Sequence, residues 1–131
     1  MKDGPSIYSF ELRNLRPCSG NAMYRAVRGG RVVISAEARE FKKTMASLLA
    51  SLKVPMIRGP VSVHIVFDFQ TRHKRDVDNF AKSVLDSLKG ELFEDDSDIF
   101  DLRLQKNIGT PIDRIQITCQ RIVPGNMTQQ P

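Results

Sequence analysis

The alternation of apolar and polar positions divides the chain into seven elements. Residues 6–13 alternate, with Tyr8, Phe10 and Leu12 on one face, which is the two-residue period of a half-buried strand. A Pro/Ser/Gly/Asn loop follows over 17–23. The Gly29-Gly30 pair between 23–27 and 32–34 then predicts a hairpin with a two-residue turn. Ser35 is placed to cap a helix, with Glu37 in its first turn, where the helix dipole favours an anion. Ala38, Phe41, Met45, Leu48, Leu49 and Leu52 recur at helical spacing to about Lys53, and Val54-Pro55 and Gly59-Pro60 punctuate the exit. Residues 61–69 give the clearest strand, with Val61, Val63, Ile65, Phe67 and Phe69 on one side. A second helix is expected over 77–89, with Val77, Ala81, Val84, Leu85 and Leu88 inward and Gly90 as its stop. Residues 101–106 and 114–122 alternate again as strands. The order strand, hairpin, helix, strand, helix, strand, strand predicts an α+β domain. Its mixed sheet should have about five to six strands, with the two helices mainly on one face.

At 131 residues the chain suits one domain, expected over 1–123, and the polar, Pro/Gly-bounded 124–131 reads as a loose tail. No apolar run is long enough to span a bilayer and no secretory signal is visible, so a cytoplasmic protein without a membrane partner is expected. Cys18 and Cys119 lie far apart with no metal-ligand spacing and read as reduced thiols. The net charge of +5 hides an asymmetry: residues 1–75 carry 14 basic against 5 acidic side chains, whereas 76–101 carry 9 acidic against 2 basic. A basic body around one acidic site suits a phosphodiester-cleaving enzyme, in which cations attract the DNA backbone and carboxylates hold metal. A solvated acidic loop on a basic protein fits the counts equally well.

The candidate chemistry lies in 72–82, which join a strand end to a helix start. Asp76 and Asp78, two residues apart, can face one cleft, and a helix N-terminus there is a seat for phosphate. Lys82 lies four residues after Asp78, on the same helical side. Glu94-Asp95-Asp96-Ser97-Asp98 begins the next strand. The helical crossover is expected to return this second cluster beside the end of the first strand. Two or three convergent carboxylates suffice for Mg²⁺, which keeps several waters. Taken singly, Asp76 or Asp78 as a helix cap, Asp78–Lys82 as a surface ion pair and Asp95-Asp96 as a turn are each the more common use of such residues. An EF-hand is excluded, because no acidic window has the required glycine and closing glutamate.

The run Arg75-Asp76-x-Asp78-Asn79-x-x-Lys82-x-x-x-Asp86-x-Leu88-x-Gly90, followed by Glu94-Asp95-Asp96-x-x-Ile99, resembles the RusA-type Holliday-junction resolvases of phages and prophages. Weaker matches lie upstream, in Pro17-x-Ser19-x-Asn21-x-x-Tyr24-Arg25 and Ser35-Ala36-Glu37, so that the likeness spans about 7–122. It implies a homodimeric α+β fold that binds four-way junctions and nicks two strands symmetrically with Mg²⁺, for which Mn²⁺ is expected to substitute. It also implies that Asp76, Asp78 and Asp96 are the essential carboxylates, with Asp95 a less secure neighbour, and that Lys82 is the essential lysine. Phosphate contacts are expected from Arg25, Arg28 and Arg31 on the hairpin, from Arg39, Lys42 and Lys43 on the first helix, and from Arg72, His73, Lys74 and Arg75 before the motif. Two other functions remain open: a broader nuclease acting on flaps and other branched DNA through the same site, and a non-catalytic DNA-binding scaffold.

Overall fold

A computed structural model describes residues 5–20 and 24–123, except for the side chains of Tyr24 and Arg25. Its elements run β1 (Ile7–Arg13), β2 (Tyr24–Ala26), β3 (Val32–Ile34), α1 (Ala36–Leu52), β4 (Val61–Phe69), α2 (Asp78–Leu88), a 3-10 turn (Asp96–Asp98), β5 (Ile99–Ile108) and β6 (Arg114–Arg121). Four strands form a mixed sheet in the order β1-β6-β4-β5, while β2 and β3 form a separate ribbon. The expectation of one sheet with five to six strands is therefore corrected to four plus two. The ribbon strands have three residues each, and their pairing ends with each other. The ribbon's turn also differs from the expected two residues. Val27 N–H donates to the Arg31 carbonyl at 2.8 Å, leaving Arg28-Gly29-Gly30 as the connection, with both glycines at positive φ.

Each helix forms for local reasons that the sequence already carries. The Ser35 hydroxyl accepts from Ala38 N–H at 3.0 Å and starts α1, which Lys53 closes in the left-handed region. Ala38, Phe41, Met45 and Leu49 are its buried stripe. In α2 the buried positions are Phe80, Ala81, Ser83, Val84, Ser87 and Leu88, and Gly90 follows at φ +82°. Both stripes join one cluster with Val61, Val63, Ile65, Phe67 and Phe69 of β4 and Ile115, Ile117 and Cys119 of β6, so both helices cover the same sheet face. Burial of each large apolar side chain stabilises the fold by about 1.5–3 kcal/mol.

The pairing of β4 with its neighbours positions the site. β6 runs antiparallel to β4, with Ile65 opposite Ile117. β5 runs parallel to it, with Val61 beside Ile99 and Phe69 beside Ile108. The loop and helix between β4 and β5 thus form a crossover that returns the chain to the beginning of β4. On the opposite face Asp68 is buried, accepting from Arg114 Nε (2.8 Å), Asn107 Nδ2 (2.9 Å) and Gln116 Nε2 (3.3 Å). One carboxylate thereby ties β4 to both of its neighbours. Cys18 and Cys119 are buried free thiols, and burial pushes Cys119 up to about 11. No helix among the described residues is long and apolar enough to cross a membrane.

Candidate active site at the α2 N-terminus

The loop after β4 is held from several sides. The Arg75 guanidinium lies 4.4 Å from the centre of the Phe69 ring and donates to Thr71 Oγ1 at 2.8 Å and to the His73 carbonyl at 3.3 Å. The Arg75 carbonyl accepts from Lys106 Nζ on β5. Arg75, expected as a phosphate contact, therefore acts as a clamp that fixes the residue next to Asp76. Arg72 lies over the turn after β5, where a side chain at Gly109 would meet its guanidinium at 2.7 Å. Arg72, His73 and Lys74 remain exposed.

Asp76 and Asp78 are both exposed and sit on either side of Val77, the N-cap position of α2. That position has no side-chain cap, and neither aspartate carboxylate has a hydrogen bond or ion pair among the described residues. The helix-cap reading of these acids is therefore not what the structure contains. No described residue engages their lone pairs, which lie at the positive end of a helix dipole. A cleft of about 350 Å³ opens here, lined by Ser19, Lys74, Arg75, Asp76, Asn79 and Phe80.

Ser19 and Asn79 stand in the motifs quoted above without an assigned role, and sequence reasoning gave Lys106 no part in this site. The loop bearing Ser19 is drawn in because Ser83 Oγ donates to the Cys18 carbonyl at 2.8 Å and Gly20 lies close against the Asn79 carbonyl. The available signal for Lys106 was a cation interrupting the apolar positions Leu102, Leu104 and Ile108.

Lys82 lies on the exposed side of α2 and pairs with Asp86 at 3.5 Å rather than with Asp78. Lys42 of α1 lines a small groove with Asp86, which brings two cations to this helix face. Lys43 and Arg39 are exposed on α1, and Arg39 also donates to the Ile34 carbonyl at 2.9 Å. Arg28 and Arg31 are exposed on the ribbon, whereas the Arg25 side chain lies outside the described residues.

The second acidic cluster does not return to this cleft within one chain. Because β5 runs parallel to β4, Asp96 stands at the opposite end of the crossover from Asp78. The 11 residues of α2 alone separate them by about 16 Å. Among the described residues no three acidic, histidine or cysteine side chains form a metal-binding group. The expectation that the crossover returns Asp96 beside the end of β4 is thus corrected, since that would require β5 to run antiparallel to β4.

Within the cluster the two neighbouring aspartates differ. Asp95 caps the 3-10 turn, accepting from Ser97 Oγ at 2.6 Å and Ser97 N–H at 3.0 Å, and pairs with Lys89 at 3.4 Å. These contacts, led by the Ser97 hydroxyl, hold its carboxyl down at about 2 against an ordinary 3.8. Asp96 is exposed, and its carboxylate has no such partner among the described residues. A depressed carboxylate stabilises the fold above its unfolded value, and the contribution disappears as pH falls through the folded value. Asp95→Asn is therefore expected to flatten the loss of stability between pH 3.8 and about 2. Denaturant melts of the two proteins across that window check this.

A basic domain with an acid-floored cleft at a strand-to-helix junction belongs to the class of proteins that handle polyanions. A family model, Endodeoxyribonuclease RusA, matches residues 14–120. The chain is also 31% identical over 104 residues to the crossover junction endodeoxyribonuclease RusA of Escherichia coli strain K12, covering 78% of this chain and 86% of the relative. The protein of the same name from Enterobacteria phage 82 is 32% identical with the same coverage, and that of Enterobacteria phage HK97 is 29% identical over 103 residues, covering 77% and 85%. The chain belongs to the RusA family of endodeoxyribonucleases.

Proposed function

We propose that this protein resolves four-way DNA junctions, acting as a cytoplasmic homodimer that makes paired symmetric nicks with Mg²⁺ or Mn²⁺. The observation that carries the reading is the pair of exposed carboxylates, Asp76 and Asp78, without a hydrogen bond or ion pair among the described residues, the first of them lining a cleft with Lys74 and Arg75, in a chain of this family. Their chemistry fits a hard divalent cation, which needs one or two protein carboxylates beside phosphate oxygens and water. Such a cation, when bound, supplies Lewis acidity that acidifies water and offsets charge on the phosphate under attack.

The chain's own residues account for the remaining tasks. Lys74, Arg72 and the amide groups at the start of α2 bind the backbone phosphate beside the two aspartates. Arg75 fixes the position of Asp76 through its stacking on Phe69 and the Lys106 contact. Lys82 exchanges Asp86 for the scissile phosphate and stabilises its growing charge. Arg28, Arg31, Lys42 and Lys43, with Arg25 and Arg39, hold the arms of the junction. Asp96 reaches the cleft of a second copy, and a two-fold enzyme then presents two equivalent sites to a two-fold substrate.

The test compares synthetic four-way junctions, flaps and linear duplex, each with Mg²⁺, Mn²⁺ or EDTA. Paired, metal-dependent nicks confined to the junction are the expected result. Equal cutting of flaps would make this a broader branched-DNA nuclease. Junction binding without cleavage under either metal would make it a scaffold.

A further inference from the structure

We propose that Asp113 is a positioning residue of the cleft, whose one side chain joins two of the cleft's walls and sets their spacing. The inference rests on the nuclease reading above and names a residue outside the motif on which the reaction depends. One wall is the loop that leaves β1 at Asn14 and carries Ser19. The other is the loop that leaves β4 at Gln70 and carries Lys74, Arg75 and Asp76. Asp113 belongs to neither, and lies in the turn between β5 and β6.

Both carboxylate oxygens are used, one on each loop. Oδ1 accepts from Gln70 N–H at 2.8 Å, and Oδ2 accepts from the Arg16 guanidinium at 3.2 Å. Bonds to an ionised acceptor are the stronger kind. The Asp113 side chain is 17% exposed against 49% for Arg16, so water reaches the carboxylate less than its partner. The Asp113 backbone carbonyl also accepts from Asn14 N–H at 2.7 Å, where the chain leaves β1 with φ +57°. The same turn touches the second loop twice more: Thr110 N–H donates to the Phe69 carbonyl at 3.2 Å, and Arg72 lies over Gly109.

Each loop is also fixed at its far end, beside the site. Ser83 Oγ holds the Cys18 carbonyl next to Ser19, and Arg75 stacks on Phe69 next to Asp76. Asp113 holds the near ends, so each wall is pinned at two points and the carboxylate is a point they share. Loss of this side chain leaves every residue of the cleft lining present and frees the width between the walls. A displacement of about 1 Å at a reacting group costs up to ~100-fold in rate. Junction binding, carried by the cations of the ribbon and α1, is left as it was.

D113A, R16A and the double variant of the whole protein test the bridge by single-turnover cleavage and gel-shift titration of a four-way junction, well below each melting temperature. D113A is expected to cut about 10- to 100-fold more slowly, with junction affinity within about twofold of wild type. R16A keeps the Gln70 bond and is expected to lose roughly two- to fivefold. The double variant should lose no more than D113A alone, because both changes break one bridge. Amide exchange reads the bridge without cleavage: Gln70 N–H loses protection in D113A, whereas Asn14 N–H, bonded to the retained backbone carbonyl, keeps it. Wild-type cleavage by D113A, losses that multiply in the double variant, or an unchanged Gln70 amide overturns the proposal. So does a loss of junction affinity that accounts for the loss of rate. If D113A loses protection at both amides, the turn has come apart and R16A, at an exposed position, decides: slower cutting at unchanged affinity supports the bridge, and wild-type cutting overturns it. A wild-type protein that leaves junctions uncut overturns the nuclease reading instead, and the Gln70 and Asn14 amides then decide whether Asp113 joins the loops.

Discussion

Asp76→Asn is expected to reduce junction cleavage on the order of a thousandfold or more while leaving junction binding intact or tighter. The carboxylate is exposed and has no hydrogen bond or ion pair among the described residues, so its replacement by an isosteric amide breaks no contact there. What the substitution removes is a hard anionic ligand and one negative charge facing the DNA. Loss of the ligand lowers the rate of the chemical step, and loss of the charge relieves repulsion of the phosphate. Cleavage assays and gel-shift titrations on one junction, at fixed salt, separate these effects. Wild-type cutting by the variant would remove Asp76 from the site.

The second large effect is a contrast between neighbours. Asp96→Asn is expected to lose cleavage to the same degree as Asp76→Asn, whereas Asp95→Asn should keep most of it. Asp95 is already committed to Ser97 and Lys89 and serves its own turn. Asp96, one residue on, faces solvent. Single-turnover cleavage by both variants, with melting curves to establish folding, makes the comparison. Equal loss at the two positions would show that the turn as a whole, rather than one carboxylate, is what the reaction needs.

Much of the architecture could be read from periodicity because its driving force is local. In β4 the alternation of Val61, Val63, Ile65, Phe67 and Phe69 becomes core, and the Ser35 cap and Gly90 stop bound their helices. The partition into two sheets could not be read, since β2 and β3 are too short to advertise their partners. The site was half legible. Asp76 lines the cleft while Asp78, two residues on, is exposed at the start of α2 outside its lining, and the approach of Ser19 and Lys106 depends on tertiary contacts. Asp96 was misplaced for a topological reason. A strand-helix-strand crossover joins parallel strands, so β5 and the acidic turn before it start beside the beginning of β4, the end opposite to the one expected.

The measurement closest to the core of this account mixes two inactive proteins. Asp76→Asn and Asp96→Asn chains are combined, unfolded together and refolded, so that about half the dimers carry one of each. If Asp96 serves the cleft of the other subunit, each mixed dimer contains one intact site, and nicking returns to about a quarter of the wild-type level with single rather than paired cuts. If each chain built its site alone, no mixed dimer would contain an intact one. A mixture as inactive as its components, with mixed dimers present, would contradict the shared site.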